Sequence, residues 1–351
     1  PNAITFISVL KACGIVRCLE IGEEVNAEVR RQGLLRNNSV VLGNALVSMY
    51  AKCGVIHKAA GVFEKLPIRN VASWNALMAG FSEEGLGEQV LECFDCMERQ
   101  SLSPDVVTLV CCLKACASIG AVDKGREIHR HLKETAFQND MRILNTLVAM
   151  YSKCGFVEEA QNVFDNILAR DIVSWNALIS GYAQHGSSHA ALKCFHEMQD
   201  QGVFPDVVTF MCVLKACGNI GLVEFAEEIH SVLSKQGILE KHIVVGTTLV
   251  DTYAKCGALE KAQEVFNEIQ IRDVVSWNGL ISGYVEYSDD ENAIWCFNQM
   301  QCEGIPWDAV TLVSILKCCG CNMGDTHKVQ EIHMWICKLG FDKDTIVGNS
   351  L

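Results

Sequence analysis

The chain repeats itself at a period of about 101 residues. The tripeptide Ser-Trp-Asn occurs three times, with its tryptophans at Trp74, Trp175 and Trp277. The phrases YAKCG, YSKCG and YAKCG recur at the same interval. Self-similarity at a fixed period predicts a repeat architecture, in which each unit packs mainly against its neighbours.

Each period divides into three unlike units, a long unit L, a short unit S and a third unit P, of about 35–37, 31 and 35 residues. We place the L units at 3–39, 106–140, 207–242 and 309–344. The S units follow at 40–70, 141–171 and 243–273, with a partial S unit at 345–351. The P units lie at 71–105, 172–206 and 274–308. The chain is therefore expected to form one array rather than several unrelated domains.

Each unit is expected to form two helices. In the unit 141–171, Leu147, Met150 and Tyr151 lie on one helical face, and Gly155 has the place of a residue that ends a helix. The apolar residues of 160–167 then follow helical spacing again. One helical hairpin cannot bury its apolar face alone, whereas stacked hairpins can. The sequence thus predicts an all-α fold, a right-handed superhelical solenoid whose first helices line a concave face.

Composition narrows the functional classes. Half of the residues are apolar, but no apolar run reaches 18 residues, so no membrane partner is expected. The 19 cysteines are scattered along helical faces and are interpreted as free buried thiols in a reducing compartment. The formal charge of −13 does not favour general nucleic-acid binding. Because the chain begins at Pro1, we interpret it as a fragment, and the lack of a targeting segment indicates nothing about compartment.

Recurring phrases carry a family resemblance. NALVSMYAKCG (44–54) and NTLVAMYSKCG (145–155) are typical of short repeats, DIVSWNALISGYAQHG (171–186) of P repeats, and VVTFMCVLKACGNIGLVEFAEEIH (207–230) of long repeats. Over its whole length the chain resembles the pentatricopeptide repeat proteins of the plant PLS subclass. The resemblance implies single-stranded RNA binding, one nucleotide per repeat, in a mitochondrion or chloroplast. It also implies a role in specifying a C-to-U editing site.

Two alternatives stay open. RNA binding for transcript stabilisation, splicing or processing would use the same array. A tetratricopeptide-like scaffold for protein–protein contacts would also have two helices per repeat. That family's pattern does not fit a tryptophan in only every third unit, nor the alternation of unit lengths.

In the resembling family, two side chains per repeat select the base: the fifth residue of the first helix and the last residue of the repeat. The S repeats carry Asn44 with Asn70, Asn145 with Asp171, and Thr247 with Asp273. The P repeats carry Asn75 with Asp105, Asn176 with Asp206, and Asn278 with Asp308. By the family's code these pairs predict 5′-N-Y-U-N-U-U-N-G-U-N-3′, with the L repeats left open because Ile7, Val110, Met211 and Val313 cannot hydrogen-bond. The alternative is that the last residues only cap helices.

Two further sets are expected on the concave face. The second residue of each first helix is expected to sandwich a base, and in the S and P repeats these residues are Val41, Ala72, Arg142, Val173, Val244 and Val275. Lys52, Lys153 and Lys255 are expected to contact phosphates, with weaker candidates at Lys11, Lys114, Lys215 and Lys317. The alternative for the lysines is that they stabilise helix C-termini.

The chain has no enzymatic signature. A zinc cytidine deaminase needs a His-x-Glu motif, which does not occur in the sequence. Cys93-x-x-Cys96 and Cys318-x-x-Cys321 have no partner ligands at zinc-site spacing. No cofactor or metal is expected, and the histidines of the EIH phrases (His129, His230 and His333) are interpreted as packing residues. A deaminase would have to follow beyond Leu351 or act in trans, and editing accessory proteins would dock on the L repeats.

Overall fold

The computed structural model describes residues 2–35, 40–133 and 135–321, and every regular element in these ranges is an α-helix. The first helices of the repeats are α1 Ala3–Val16, α3 Val40–Lys52, α5 Val71–Glu83, α7 Val106–Ile119, α9 Met141–Lys153, α11 Ile172–Gln184, α13 Val207–Ile220, α16 Ile243–Lys255, α18 Val274–Glu286 and α20 Ala309–Cys321. The second helices are α2 Leu19–Arg31, α4 Ile56–Glu64, α6 Gly87–Arg99, α8 Val122–Leu132, α10 Val157–Asp165, α12 Ser188–Asp200, α14 Val223–Lys235, α17 Leu259–Glu268 and α19 Asp290–Cys302. A single turn, α15 Ile238–Lys241, lies between α14 and α16.

Each of the ten first helices in the described ranges begins at the first residue of a predicted repeat, whereas the partial S unit at 345–351 lies outside these ranges. A capping box explains the sharp start of α7. Asp105 accepts from the backbone N–H of Thr108, whose hydroxyl accepts from the backbone N–H of Asp105. Gly120 ends the same helix with a φ of 69°, a left-handed conformation that costs glycine little. The division into L, S and P classes stays a prediction.

The chain forms two compact units, 1–181 and 182–351. In the first, α1, α3, α5, α7 and α9 pack side by side in chain order, and in the second α13, α16, α18 and α20 do the same. A second helix such as α4 packs against its own first helix, α3, and against the next one, α5. Each unit is therefore a stack of helical hairpins, and the predicted all-α solenoid fold is confirmed.

The recurring tryptophans belong to the core. Trp175 is fully buried and meets Phe164 edge to face, with ring centroids 4.6 Å apart. The guanidinium of Arg170 lies over the Phe164 ring, 4.6 Å from its centroid. Trp277 packs in the same way on Phe266, at 4.5 Å. The tryptophan thus fixes the junction between an S repeat and the following P repeat, because aromatic pairs in this geometry stabilise beyond their buried area.

The EIH histidines also lie at repeat junctions. Nδ1 of His129 is 3.0 Å from the hydroxyl of Tyr151, and His230 has the same distance to Tyr253. The predicted packing role is confirmed for these two, whereas His333 lies outside the described residues. Burial lowers the pKa of both histidines, and Lys133 adds to this effect at His129.

Cys116, Cys217 and Cys296 are among the free thiols in the described part of the chain. Burial raises the pKa of Cys217 and Cys296 to about 12, with small contributions from Cys256 and Asp289. Such thiols stay protonated at neutral pH and pack as small apolar groups. Over the described part of the chain, no group of three His, Cys, Asp or Glu side chains could hold a metal ion. No helix there is both long and apolar enough to cross a lipid bilayer.

Candidate nucleic-acid interface

Residues predicted to select a base meet across repeat boundaries. Nδ2 of Asn75 donates to both carboxylate oxygens of Asp105, at 2.9 and 3.0 Å. Nδ2 of Asn145 donates to both oxygens of Asp171, at 3.1 Å each. These partners are 30 and 26 residues apart in sequence, and the stacking of consecutive first helices brings them together.

Two further pairs meet with fewer bonds. Nδ2 of Asn278 donates to one oxygen of Asp308 at 2.9 Å. Nδ2 of Asn44 donates to Oδ1 of Asn70 at 3.3 Å, a long contact between neutral groups. The structure therefore brings four of the six predicted pairs into direct hydrogen-bonding contact.

The pair of Thr247 and Asp273 behaves differently. The hydroxyl of Thr247 donates to the main-chain oxygen of Ile243, one turn earlier, at 3.2 Å. Within the described residues no hydrogen bond joins Thr247 to Asp273, so the threonine retains its oxygen lone pairs as acceptors. Asn176 belongs to the first compact unit and Asp206 to the second, so this last pair has no described geometry.

The last residues of the repeats also cap helices. Asp105 caps α7 and Asp308 accepts from the backbone N–H of Thr311 at 3.0 Å. Burial opposes ionisation of both carboxyl groups, but the backbone and side-chain hydrogen bonds together outweigh it and lower the pKa of each. Capping is therefore an observed role of these residues, and it coexists with the contact to the fifth residue.

Exposed aliphatic residues occupy the second position of the first helices in each compact unit, and they are called the aliphatic stripe of that unit. Val41, Val173, Val244 and Val275 are each more than half exposed. Ala72 is also exposed. Four equivalent L-repeat residues, which sequence reasoning did not single out, are 48% to 73% exposed: Ile4, Val107, Val208 and Val310. A surface aliphatic at one fixed repeat position does not serve the core, so the stripe is available to pack on a ligand.

Arg142 interrupts the aliphatic stripe. Its guanidinium is exposed and makes two hydrogen bonds to the carboxylate of Asp140, at 3.2 and 2.8 Å. This contact holds the guanidinium plane beside the helix start. The arginine can thus present a flat face where the other repeats present a branched aliphatic side chain.

A cleft of about 350 Å³ in the first unit joins the predicted sets. Val41 from the second position and Asn44 from the fifth line it together with Lys52. Ile7 and Lys11 of the preceding L repeat line its other side. One surface cavity therefore holds an aliphatic wall, an amide and two cations, which together can bind a base and its phosphate.

The seven lysines singled out from the sequence are all exposed. Lys255 forms an ion pair with Asp251, with Nζ 2.6 Å from the carboxylate, so part of its charge is compensated. Lys52 and Lys153 form no such ion pair within the described ranges, where serine and alanine stand at the position of Asp251. The three predicted phosphate lysines are therefore not equivalent.

Family models for pentatricopeptide repeats match most of the array. The model described as the PPR repeat family matches residues 69–118, 170–219 and 272–322. The model described as the PPR repeat matches residues 44–71, 142–172 and 247–274. Together these segments cover more than half of the chain.

Curated relatives of similar sequence are plant proteins. A chloroplastic pentatricopeptide repeat-containing protein of Arabidopsis thaliana is 32% identical over 351 residues, covering 100% of this chain and 43% of the relative. A mitochondrial one from the same plant is 31% identical, covering 92% of this chain and 52% of the relative. The chain thus spans about half the length of the curated relatives that it matches.

Solved structures share the fold. The pentatricopeptide repeat protein PPR10 in complex with an 18-nucleotide psaJ RNA element matches with a TM-score of 0.72 at 20% identity, covering 91% of this chain and 53% of that one. PPR10 from maize matches with a TM-score of 0.66 at 18% identity, covering 100% and 55%. The stacked hairpins and the family models agree, and the chain belongs to the pentatricopeptide repeat family.

Proposed function

We propose that the chain binds single-stranded RNA by sequence, one nucleotide per repeat, with the RNA running 5′ to 3′ from the N-terminal repeat. The observation that carries this proposal is the hydrogen bond between the fifth residue of one repeat and the last residue, seen at Asn75–Asp105 and Asn145–Asp171. Hydrogen-bonded pairs of this kind occur in repeats 3 and 5, and the second residues of these repeats, Ala72 and Arg142, are both exposed. The proposed target is 5′-N-Y-U-N-U-U-N-G-U-N-3′.

The chemistry of the Asn–Asp pair favours uracil. Both carboxylate oxygens of Asp105 lie close to the amide nitrogen of Asn75, so that one N–H can be shared between them and the other can donate to a base. The carboxylate of Asp105 remains an acceptor. Uracil offers the matching acceptor O4 next to the donor N3–H, whereas cytosine offers a donor next to an acceptor in the reverse order. A cytosine in this place would oppose donor to donor and acceptor to acceptor.

The chemistry of the eighth repeat favours guanine. The proton of the Thr247 hydroxyl is engaged by the carbonyl of Ile243, so this side chain presents an acceptor. Asp273 presents a second acceptor. Guanine has two adjacent donors on its Watson–Crick edge, N1–H and N2–H₂, and therefore satisfies both groups.

Binding without base selectivity would come from the other two sets. The exposed second-position residues, Val275 among them, would pack on base faces, and the L repeats offer the same surface without a hydrogen-bonding fifth residue. Ile7, Val110 and Met211 are half-buried at that position. Lys52 and Lys153 would contact phosphates despite the negative net charge. Binding is then expected to weaken with salt.

The finer assignments rest on the resemblance to the PLS subclass. We infer a role in placing a C-to-U editing event in an organellar transcript, either in a chloroplast or in a mitochondrion. Relatives named as chloroplastic and mitochondrial support an organelle. The editing chemistry would come from a cytidine deaminase in cis beyond Leu351 or in trans, with accessory proteins on the L repeats.

An equilibrium titration tests the proposed recognition. Two labelled RNAs carry the proposed sequence with either G or U at the eighth nucleotide, and both are titrated with the wild type and with Thr247→Asn. The wild type should prefer G and the variant should prefer U. Thr248→Asn is the matched control, because Thr248 is half-buried on the same helix and its hydroxyl donates to the carbonyl of Val244. If neither Thr247 protein discriminates, the polar pairs serve only as caps, and a protein ligand becomes the better hypothesis.

A further inference from the structure

Asn75 and Asn278, the fifth residues of two P repeats, each receive a second, buried hydrogen bond. The hydroxyl of Thr108 lies 2.7 Å from Oδ1 of Asn75, closer than its second acceptor, Oδ1 of Asp105, at 3.0 Å. The hydroxyl of Thr311 lies 2.6 Å from Oδ1 of Asn278 and 3.0 Å from Oδ1 of Asp308. The shorter distance assigns the proton to the asparagine in both repeats. Both threonines are fully buried, and each is the third residue of the first helix of the following L repeat. The amide oxygen of these asparagines is therefore held on the inner side, away from the exposed face.

In the two described S repeats that have an asparagine at the fifth position, Asn44 and Asn145, this bond is absent. The next repeat there supplies a serine, and Ser174 donates to the main-chain oxygen of Asp171 at 2.8 Å instead of reaching Asn145. Oδ1 of Asn145 is buried and makes no hydrogen bond within the described part of the chain. Oδ1 of Asn44 is in the same situation, since the hydroxyl of Ser73 donates to Oδ1 of Asn70.

The difference has a physical origin in the third residue. A threonine carries a methyl group that restricts rotation about its Cα–Cβ bond, whereas a serine hydroxyl turns more freely to a nearby carbonyl. A carboxamide has a donor end and an acceptor end of nearly equal size. When the Thr108 hydroxyl donates its proton to the amide of Asn75, only the oxygen end of the amide can receive it. The amide nitrogen must therefore face Asp105 and the exposed side. In the S repeats only the last residue of the repeat sets this orientation.

We propose that Thr108 and Thr311 are positioning residues for base recognition, each fixing the amide of the preceding P-repeat asparagine with its nitrogen outward. This inference rests on the proposed function. It makes the P repeats more selective for uracil than the S repeats, although both carry an asparagine at the fifth position. It also adds a third residue, from the following repeat, to the pair that selects the base.

Thr108→Val tests the role, because valine keeps the shape and removes the hydroxyl. The dissociation constants are measured for RNAs with U or C at nucleotide 3, opposite Asn75, and with U or C at nucleotide 9, opposite Asn278. The preference for U over C at nucleotide 3 should fall about fivefold, the effect of one hydrogen bond. The preference at nucleotide 9 should not change. Thr252→Val is the matched control, since it removes a buried hydroxyl that bonds to the carbonyl of Leu214.

A gain of selectivity gives the converse test and does not depend on the stability of Thr108→Val. Ser174→Thr supplies the missing donor beside Asn145 and should raise the preference for U over C at nucleotide 5. Melting temperatures are recorded for all variants. If the wild type does not discriminate at nucleotide 3, the proposed function fails and this inference fails with it. If the wild type discriminates and Thr108→Val retains its preference, or weakens every RNA equally, only the positioning role is overturned.

Discussion

Asp105 lies 2.9 Å from the amide nitrogen of Asn75, although the two residues are 30 positions apart and belong to opposite ends of one repeat. The same carboxylate accepts the backbone N–H of Thr108 at 2.9 Å. One side chain thus links the start of a repeat, its end and the start of the next repeat. Proposed base recognition and helix capping share the same atoms.

Asp105→Asn should separate recognition from capping. Asparagine caps helices about as well as aspartate, so the free energy of unfolding should change by less than about 0.5 kcal/mol. The carboxamide can present a donor as well as an acceptor, so nucleotide 3 should accept C as well as U. Competition binding with U and C at that nucleotide measures the change. A preserved strict preference for U would mean that Asp105 does not contact the base.

The aliphatic stripe should contribute affinity without selectivity. Val275→Ala removes exposed methyl groups and should weaken binding about threefold for every base opposite repeat 9. Ala72→Val should strengthen binding by a similar factor, because it extends the stripe. Val232→Ala on α14 is the control, since this valine is exposed on a second helix. Equal losses for Val275→Ala and Val232→Ala would contradict a role of the stripe in RNA binding.

Lys52 and Lys255 should contribute differently to the salt dependence of RNA binding. Lys52→Gln should reduce the slope of log affinity against log salt by about 0.7, the value for one phosphate contact on a single strand. Lys255→Gln should reduce it less, because Asp251 already compensates this charge. Asp251→Ser should increase affinity by freeing Lys255. Titrations at several salt concentrations measure these slopes, and an unchanged slope for Lys52→Gln would remove this lysine from the interface.

The junction histidines should make stability depend on pH. Burial lowers the pKa of His129 and His230, so the unfolded chain takes up protons near pH 6.5 while the folded chain resists them. Stability should therefore fall as the pH decreases from 7 and level off below the folded pKa. Asn26 bonds to the hydroxyl of Tyr50 at the equivalent junction and does not titrate.

The variant with His129→Asn and His230→Asn copies the Asn26 junction. Its free energy of unfolding should vary less between pH 7 and pH 5 than that of the wild type. Denaturant unfolding at a series of pH values gives this comparison. A pH profile identical to that of the wild type would assign the dependence to other groups.

Much of the architecture could be predicted from the sequence, because the apolar spacing and the repeat period act locally. The first helices in the described part of the chain begin at the predicted repeat starts, and the Asn–Asp pairs of repeats 3 and 5 are in contact. Asp251 and Lys255 are four residues apart on one helix, a spacing from which their ion pair could also be predicted. The sequence analysis missed that this ion pair compensates part of the charge of a lysine expected to contact phosphate. The bond from Thr108 to Asn75 depends on a rotamer and on packing between repeats, which no local pattern encodes. A signal existed in the alternation of threonine and serine at the third helical position.

The shared cap has a consequence for how such an array can change its target. Few side chains cap a helix well, chiefly those of serine, threonine, aspartate and asparagine. A substitution at the last position of a repeat must remain within this short set, or the next helix loses its start. The fifth position, exemplified by Asn278 and Thr247, carries no such requirement. A change of RNA target, by evolution or by design, should therefore proceed mainly through substitutions at the fifth position. The last position should change rarely, and then only among these four residue types.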